Sequence, residues 1–137
     1  MTEHGFIRFI HGKLDQNLIK WKINDRFMGG VPDAYYMGDQ GVLWVEYKYV
    51  KLLPVRDTTI IKTCLTELQK IWLDDLERCK QPCALAIGCG DRVAVLRAGK
   101  WRDGITVKEF RETSMSRKDL AAWIGKQCLA TNTSTLP

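Results

Sequence analysis

Residues 31–48 run VPDAYYMGDQGVLWVEYK. Ala34-Tyr35-Tyr36-Met37 is a short β-prone run, Gly38-Asp39-Gln40-Gly41 is turn chemistry, and Val42 to Lys48 is a longer β-prone run. A strand sends alternate side chains to the same face, so Glu46 and Lys48 share one face and Tyr47 takes the other. Folding the hairpin brings Asp33 beside Glu46, and two carboxylates and one ammonium converge. Carboxylate oxygens are hard ligands suited to a cation such as Mg²⁺. An adjacent ammonium either orients or activates a water, or steadies a phosphate. The pattern leaves these roles of Lys48 open.

Working outward, Gly29-Gly30 supplies conformational freedom just before Asp33, and Pro32 stiffens the approach. Further upstream, Phe6 to Leu14 has the spacing of a short amphipathic helix started near Thr2, with Glu3, Ile7, Ile10 and Leu14 on one stripe. His4 and His11 are expected to be solvent-exposed or DNA-facing and not metal ligands. Asp15-Gln16-Asn17 ends the helix, and Leu18 to Ile23 reads as the first strand, with Lys20 and Lys22 on a common face.

Downstream, residues 49–63 lack periodicity and carry Lys51, Arg56 and Lys62. A loop of this length is a contact surface or a mobile solvent-facing segment. Thr66 followed by Gln69 fits a capping box, and Leu68, Ile71, Trp72, Leu76 and Cys79 are the expected buried stripe of the helix that follows. Gln69 has two readings, as a cap bonded back to Thr66 or as a site residue facing the carboxylates. Cys83 to Gly88 is continuously apolar and reads as a strand buried on both faces. Arg92 to Arg97 is its returning partner, Ile105 to Phe110 an outer strand, and Ser116 the cap of a last helix carrying Leu120, Ala121, Trp123, Ile124 and Cys128.

The chain has 137 residues, so residues 1–129 are expected to form one domain, with 130–137 a disordered tail. Lys and Arg number 21 against 16 Asp and Glu, a net charge of +5 that permits a polyanionic partner. No apolar run is long enough to span a bilayer and the first residues are polar, so a cytoplasmic protein without membrane association is expected. The five cysteines lack Cys-x-x-Cys spacing and read as reduced, mostly buried thiols.

Pro32-Asp33 followed by Glu46-Tyr47-Lys48 resembles the PD-(D/E)xK signature of restriction-endonuclease-like proteins. Gly29-Gly30-Val31-Pro32-Asp33, and Leu65 to Leu73 with its Gln69 and Trp72, are similar to the VRR-NUC branch, in particular its small stand-alone phage members. The likeness spans roughly residues 3–97. It implies an α/β fold with a restriction-endonuclease-like core, a mixed central sheet flanked by helices. It also implies Mg²⁺- or Mn²⁺-dependent cleavage of branched DNA, such as a four-way Holliday junction, by a homodimer, with no nucleotide cofactor. If the protein is phage-encoded, its place would be the host cytoplasm. By the same resemblance Asp33, Glu46, Lys48 and Gln69 would be catalytic. Asp33, Glu46, the Tyr47 carbonyl and Glu3 would serve the metal, although an acidic residue in a first helical turn is also favoured by the helix dipole. Lys22, Lys51, Arg56 and Lys62 would contact DNA. Trp101, Phe110, Met115 and Trp123 have two readings, packing of the last helix or a dimer interface. The competing functions are a flap- or end-directed repair nuclease of the same fold, a non-catalytic nucleic-acid-binding accessory protein, and a small basic structural protein.

Overall fold

The structure is a computed structural model that describes residues 1–25 and 27–130. The expected tail therefore lies, from residue 131 on, outside the described residues. Six strands form one sheet in sequence order: β1 (Ile19–Lys22), β2 (Ala34–Met37), β3 (Val42–Tyr49), β4 (Cys83–Cys89), β5 (Arg92–Leu96) and β6 (Met115–Ser116). All neighbours pair antiparallel except β3 and β4, which run parallel and are joined through the helix α2 (Glu67–Arg78). The sheet is thus mixed and flanked by helices, the α/β class expected from the sequence. No helix among the described residues is long and apolar enough to cross a membrane.

Two apolar clusters cover the two faces of this sheet. On one face α1 (Glu3–Lys13) and α4 (Arg117–Cys128) bury Phe6, Ile7, Ile10, Leu120, Ile124 and Cys128 against Tyr36, Leu43, Val45 and Tyr47. On the other, α2 and α3 (Val107–Thr113) bury Leu73, Leu76 and Phe110 against Leu85, Ile87, Ala94 and Leu96. The helix starts follow the sequence closely. Thr2, Thr66 and Ser116 each accept a bond from a first-turn amide, satisfying a donor that the helix itself leaves free.

Several expectations are corrected. Ile105 to Phe110 is no outer strand: Thr106 and Glu109 make a capping box that starts α3, and the sheet's outer strand is instead the two-residue β6. Thr-x-x-Glu outweighed the β-branched composition there. The α2 stripe is rotated from the expected one. Leu73 and Leu76 are buried, whereas Leu68 and Ile71 are about half-exposed and Cys79 is exposed. The inward row runs Gln69, Trp72, Leu73, Leu76, so a polar residue holds a place that an apolar count leaves out.

Trp101 and Phe110 are buried, though in the cluster under α2 and α3 and not beneath the last helix, while Met115 and Trp123 pack partly buried against the first cluster. His11 is not solvent-exposed: its Nε2 lies 2.8 Å from the Tyr36 hydroxyl, which in turn meets the Tyr47 hydroxyl at 2.6 Å. Of the thiols, which are all free, Cys83 and Cys128 are buried while Cys64 and Cys79 are exposed.

Gly88 on β4 lies directly against the Phe6 ring of α1. A Cβ there would stand 2.6 Å from the Phe6 ring, and Phe6 is fully buried with no room to retreat. Gly88→Ala is therefore expected to destabilise the protein by about 1–3 kcal/mol through overpacking, read as a lower urea midpoint with an unchanged slope.

Candidate functional site

The candidate site forms where β2 ends and β3 continues. The last pair of that ladder is Ala34 with Val45, so Asp33 stands one step beyond it, opposite Glu46. Its Oδ2 accepts the Tyr47 N–H at 2.8 Å, replacing the ladder bond that β2 no longer supplies. Trp44 and Val50 send their N–H groups to the β4 side, and by strand alternation the Tyr47 N–H and carbonyl face the Asp33 side.

Glu46 is 2 % exposed and is the one buried charged residue among those described. Its Oε2 accepts from Gln69 Nε2 at 3.1 Å and lies 3.7 Å from Lys48 Nζ. Its Oε1 is buried without a donor. Glu46 and Lys48 thus share one face, as strand alternation requires, while Tyr47 is buried on the other.

The two readings of Gln69 prove compatible. Its Oε1 accepts the Thr66 N–H at 2.9 Å, closing the capping box, and its Nε2 reaches Glu46. Because Thr66 presents a donor, the amide can be oriented only with its oxygen toward the cap and its nitrogen toward the carboxylate. The first turn of α2 is locked and aimed by the same side chain.

The glycine-led approach to Asp33 is held by α2 as well. Trp72 Nε1 donates to the Gly29 carbonyl at 3.1 Å. Gly30 has φ +84° and sits so close to α2 that a Cβ would meet the Leu68 backbone at 2.6 Å. Only glycine satisfies both conditions.

Electrostatics follow from this burial. The Glu46 carboxyl is pushed up to about 9, first by burial, then by the Asp33 charge, against the pull of Lys48; Glu3 adds to the rise. Burial also raises Asp33, opposed by its bond from the Tyr47 N–H, by Glu46 and by the charges of Lys48 and Lys22. Without a cation, burial and the Asp33 charge favour the protonated form of Glu46.

Other expected residues are distributed unevenly. Glu3, at the exposed start of α1, is near enough to act on Glu46 but makes no bond to it. Lys22 acts on Asp33, and its Nζ lies 3.5 Å from His4 Nδ1, so His4 is on the rim of the site. Lys51, Arg56 and Lys62 are exposed on the loop after β3, and none of them is among the charges that shift Asp33 or Glu46. The later part of that loop is fastened to the start of α3: Lys108 N–H donates to the Asp57 carbonyl, and Arg111 pairs with the Asp57 carboxylate at 2.8 Å.

A divalent cation fits these donors. Two carboxylates in contact, one with an oxygen that no donor reaches, and a backbone carbonyl facing Asp33 are all hard oxygen ligands. No group of three or more His, Cys, Asp or Glu side chains gathers among the described residues. That arrangement suits Mg²⁺, which is commonly bound through one or two carboxylates and keeps several waters or phosphate oxygens.

The sequence reading passed over a row of aromatics on the same sheet face. Trp21, Tyr35 and Trp44 are register partners across β1, β2 and β3. The spacing Trp44-x-Glu46-x-Lys48 already carried the signal, since it puts Trp44 on the carboxylate face.

The raised carboxyl gives a pH dependence with a definite sign. A folded pKa above the ordinary 4.5 means that the folded state binds the extra proton. Its stabilising effect is complete below pH 4.5 and is lost as pH rises through about 9. In EDTA the wild-type melting temperature should accordingly fall across that window. Glu46→Gln should flatten this fall and melt higher than wild type at pH 8, and added Mg²⁺ should stabilise wild type but not the variant. Parallel pH profiles for the two proteins would count against a strained Glu46.

No family model matches the sequence, and no curated protein matches it. Among solved structures, the chain is similar to a Holliday junction resolvase, Hjc, from the archaeal hyperthermophile Archaeoglobus fulgidus. The identity is 10 %, the TM-score is 0.43, and the match covers 78 % of this chain and 94 % of that one. A likeness this slight assigns neither family nor activity.

Proposed function

We propose that this chain is a divalent-metal-dependent nuclease of the restriction-endonuclease-like class, VRR-NUC in type, that hydrolyses DNA phosphodiesters within a domain spanning residues 1–129. The observation that carries this reading is buried Glu46 beside half-buried Asp33, with Lys48 3.7 Å from Glu46 and Gln69 holding the same oxygen. A buried carboxyl beside a second one, only partly offset by Lys48 and Gln69, is costly to maintain, and cation binding is a use that offsets the cost. Asp33, Glu46 and the Tyr47 carbonyl would hold Mg²⁺ or Mn²⁺, with Glu3 acting at longer range.

When bound, such an ion lowers the pKa of a coordinated water and neutralises charge on a phosphate. The residues of the chain then have separable tasks. Gln69 fixes the Glu46 carboxylate, the Tyr47 N–H fixes Asp33, and the Lys48 ammonium orients the attacking water or steadies the phosphate oxygens. The water oxygen forms a new bond to phosphorus as one P–O ester bond breaks; the water gives up a proton and the departing oxygen gains one, so the balance is hydrolysis. Lys22, beside Asp33, and Lys51, Arg56 and Lys62, on the exposed loop, are suited to phosphate contacts, which are insensitive to sequence.

For substrate, the reading favours branched DNA such as a four-way junction, cut by a homodimer. One chain carries one such site, and symmetric paired cuts need two, which a two-fold dimer supplies. The packed positions of Trp101 and Phe110 remove them as anchors for that dimer, so any interface lies elsewhere.

Incubating the purified protein with labelled junction, flap, single-stranded and duplex DNA in Mg²⁺, Mn²⁺ or EDTA tests the proposal. Cleavage is expected only with a divalent ion. Asp33→Asn and Glu46→Gln should each abolish it while the fold is kept, because they remove charge and little volume. Lys48→Ala should lower kcat by about a hundredfold or more with a smaller change in KM, since its contact matters most in the transition state. Cleavage at the wild-type rate by both carboxylate variants would remove this site, and metal-independent binding without any cleavage would favour an accessory protein.

A further inference from the structure

Beside the carboxylates, between α2 and the sheet, lies an open groove of about 660 Å³, a size typical of small-molecule sites. Trp21, Phe27, Met28, Trp44 and Trp72 line it. Apolar residues rarely stay in water in such a group unless something covers them. Trp21 is 56 % exposed, Met28 51 % and Phe27 fully exposed. The floor is a row of rings in edge-on and tilted contact: Trp21 meets Tyr35 edge-on at 6.5 Å, and Tyr35 meets Trp44 at 4.6 Å with the rings tilted.

Two features say what covers it. First, the groove is continuous with the candidate site. Trp44 is two residues before Glu46 on β3, Tyr35 is two residues after Asp33, and the separation along the strands is about 7 Å. Trp72, one turn beyond Gln69 on α2, closes the groove as Gln69 closes the site. Secondly, the exposed part of the lining is largely aromatic, with Trp21 and Phe27 each more than half in solvent. A flat aromatic ring gains stacking on such side chains, which a purely aliphatic side chain does not.

We propose that this groove seats an unpaired nucleobase of the strand whose phosphate lies at Asp33, Glu46 and Lys48. The identity of the occupant rests on the nuclease reading above, and it narrows the substrate to DNA with at least one unstacked base beside the scissile phosphate. Paired duplex cannot offer a base face to Trp21, because its faces are already stacked. Branch points, flaps and single strands can. The platform is indifferent to base identity, since every base has a π face.

The test compares, in EDTA, the anisotropy of a labelled oligothymidylate with that of an abasic strand of equal length and charge. Wild type should bind the thymidylate about fivefold to 150-fold more tightly, the range that one stacked base supplies. Trp21→Ala should lose this preference while keeping its affinity for the abasic strand, and Trp21→Phe should retain most of it. Trp21 is on an edge strand and exposed, so both variants are expected to melt near wild type. Equal affinity of wild type for the two strands, or an undiminished preference in Trp21→Ala, would overturn the proposal. So would a wild-type mass of twice 15.7 kDa that Trp21→Ala halves with the preference intact, because a second copy would then be the occupant. Parallel incubations with Mg²⁺ or Mn²⁺ separate the two ideas. Cleavage without base preference sinks the groove alone, whereas base preference without cleavage supports the groove and removes the nuclease.

Discussion

Glu46 is a carboxyl placed at the centre of a packed sheet, 2 % exposed, with one oxygen bound by Gln69 and the other without a donor. A group in that state has to be protonated or neutralised by a cation. The surroundings do not remove the difficulty. Asp33 is beside it, adding negative charge, and Lys48 offsets only part of this. Such a constraint is the kind that a purely structural protein has no reason to keep, since an apolar residue of similar volume would serve the core better.

Helix α2 is what makes the arrangement rigid. It covers one sheet face through Leu73 and Leu76, and its first turn is locked by the Thr66–Gln69 capping box. The same turn reaches Glu46 through Gln69 and holds the Gly29 carbonyl through Trp72. Both strands of the candidate site are therefore positioned by one helix, over lever arms of a single side chain. Gly30 marks the closeness of that contact, because a methyl group there would collide with the Leu68 backbone.

The two faces of the sheet are used differently. Under α1 and α4 buried polar groups are paired, as in the His11–Tyr36–Tyr47 series of contacts. On the α2 side the helix covers β3 and β4 but leaves the aromatic row toward β1 open. Trp44 is shared between the two environments, part core and part groove, which is why its indole nitrogen is enclosed yet unpartnered. The strand β1 itself buries none of its four residues, so that end of the sheet is surface, next to the most strained carboxyl of the protein.

The hairpin of residues 34–49, the capped helices and the pairing of Asp33 with Glu46 were legible in the sequence, because each depends on neighbours a few residues away: strand alternation, turn glycines and capping boxes act locally. The start of α3 was legible too in its Thr106–Glu109 spacing, though the β-branched residues around it argued the other way. Tertiary structure alone decided the rest. It rotated the buried row of α2 so that Gln69 faces inward, and it sent Trp101 and Phe110 into the core. It also set Trp21, Tyr35 and Trp44 side by side from three strands. The raised carboxyl of Glu46 belongs to this second group. Its cause is burial, and burial is a sum over segments far apart in the chain that no local pattern contains.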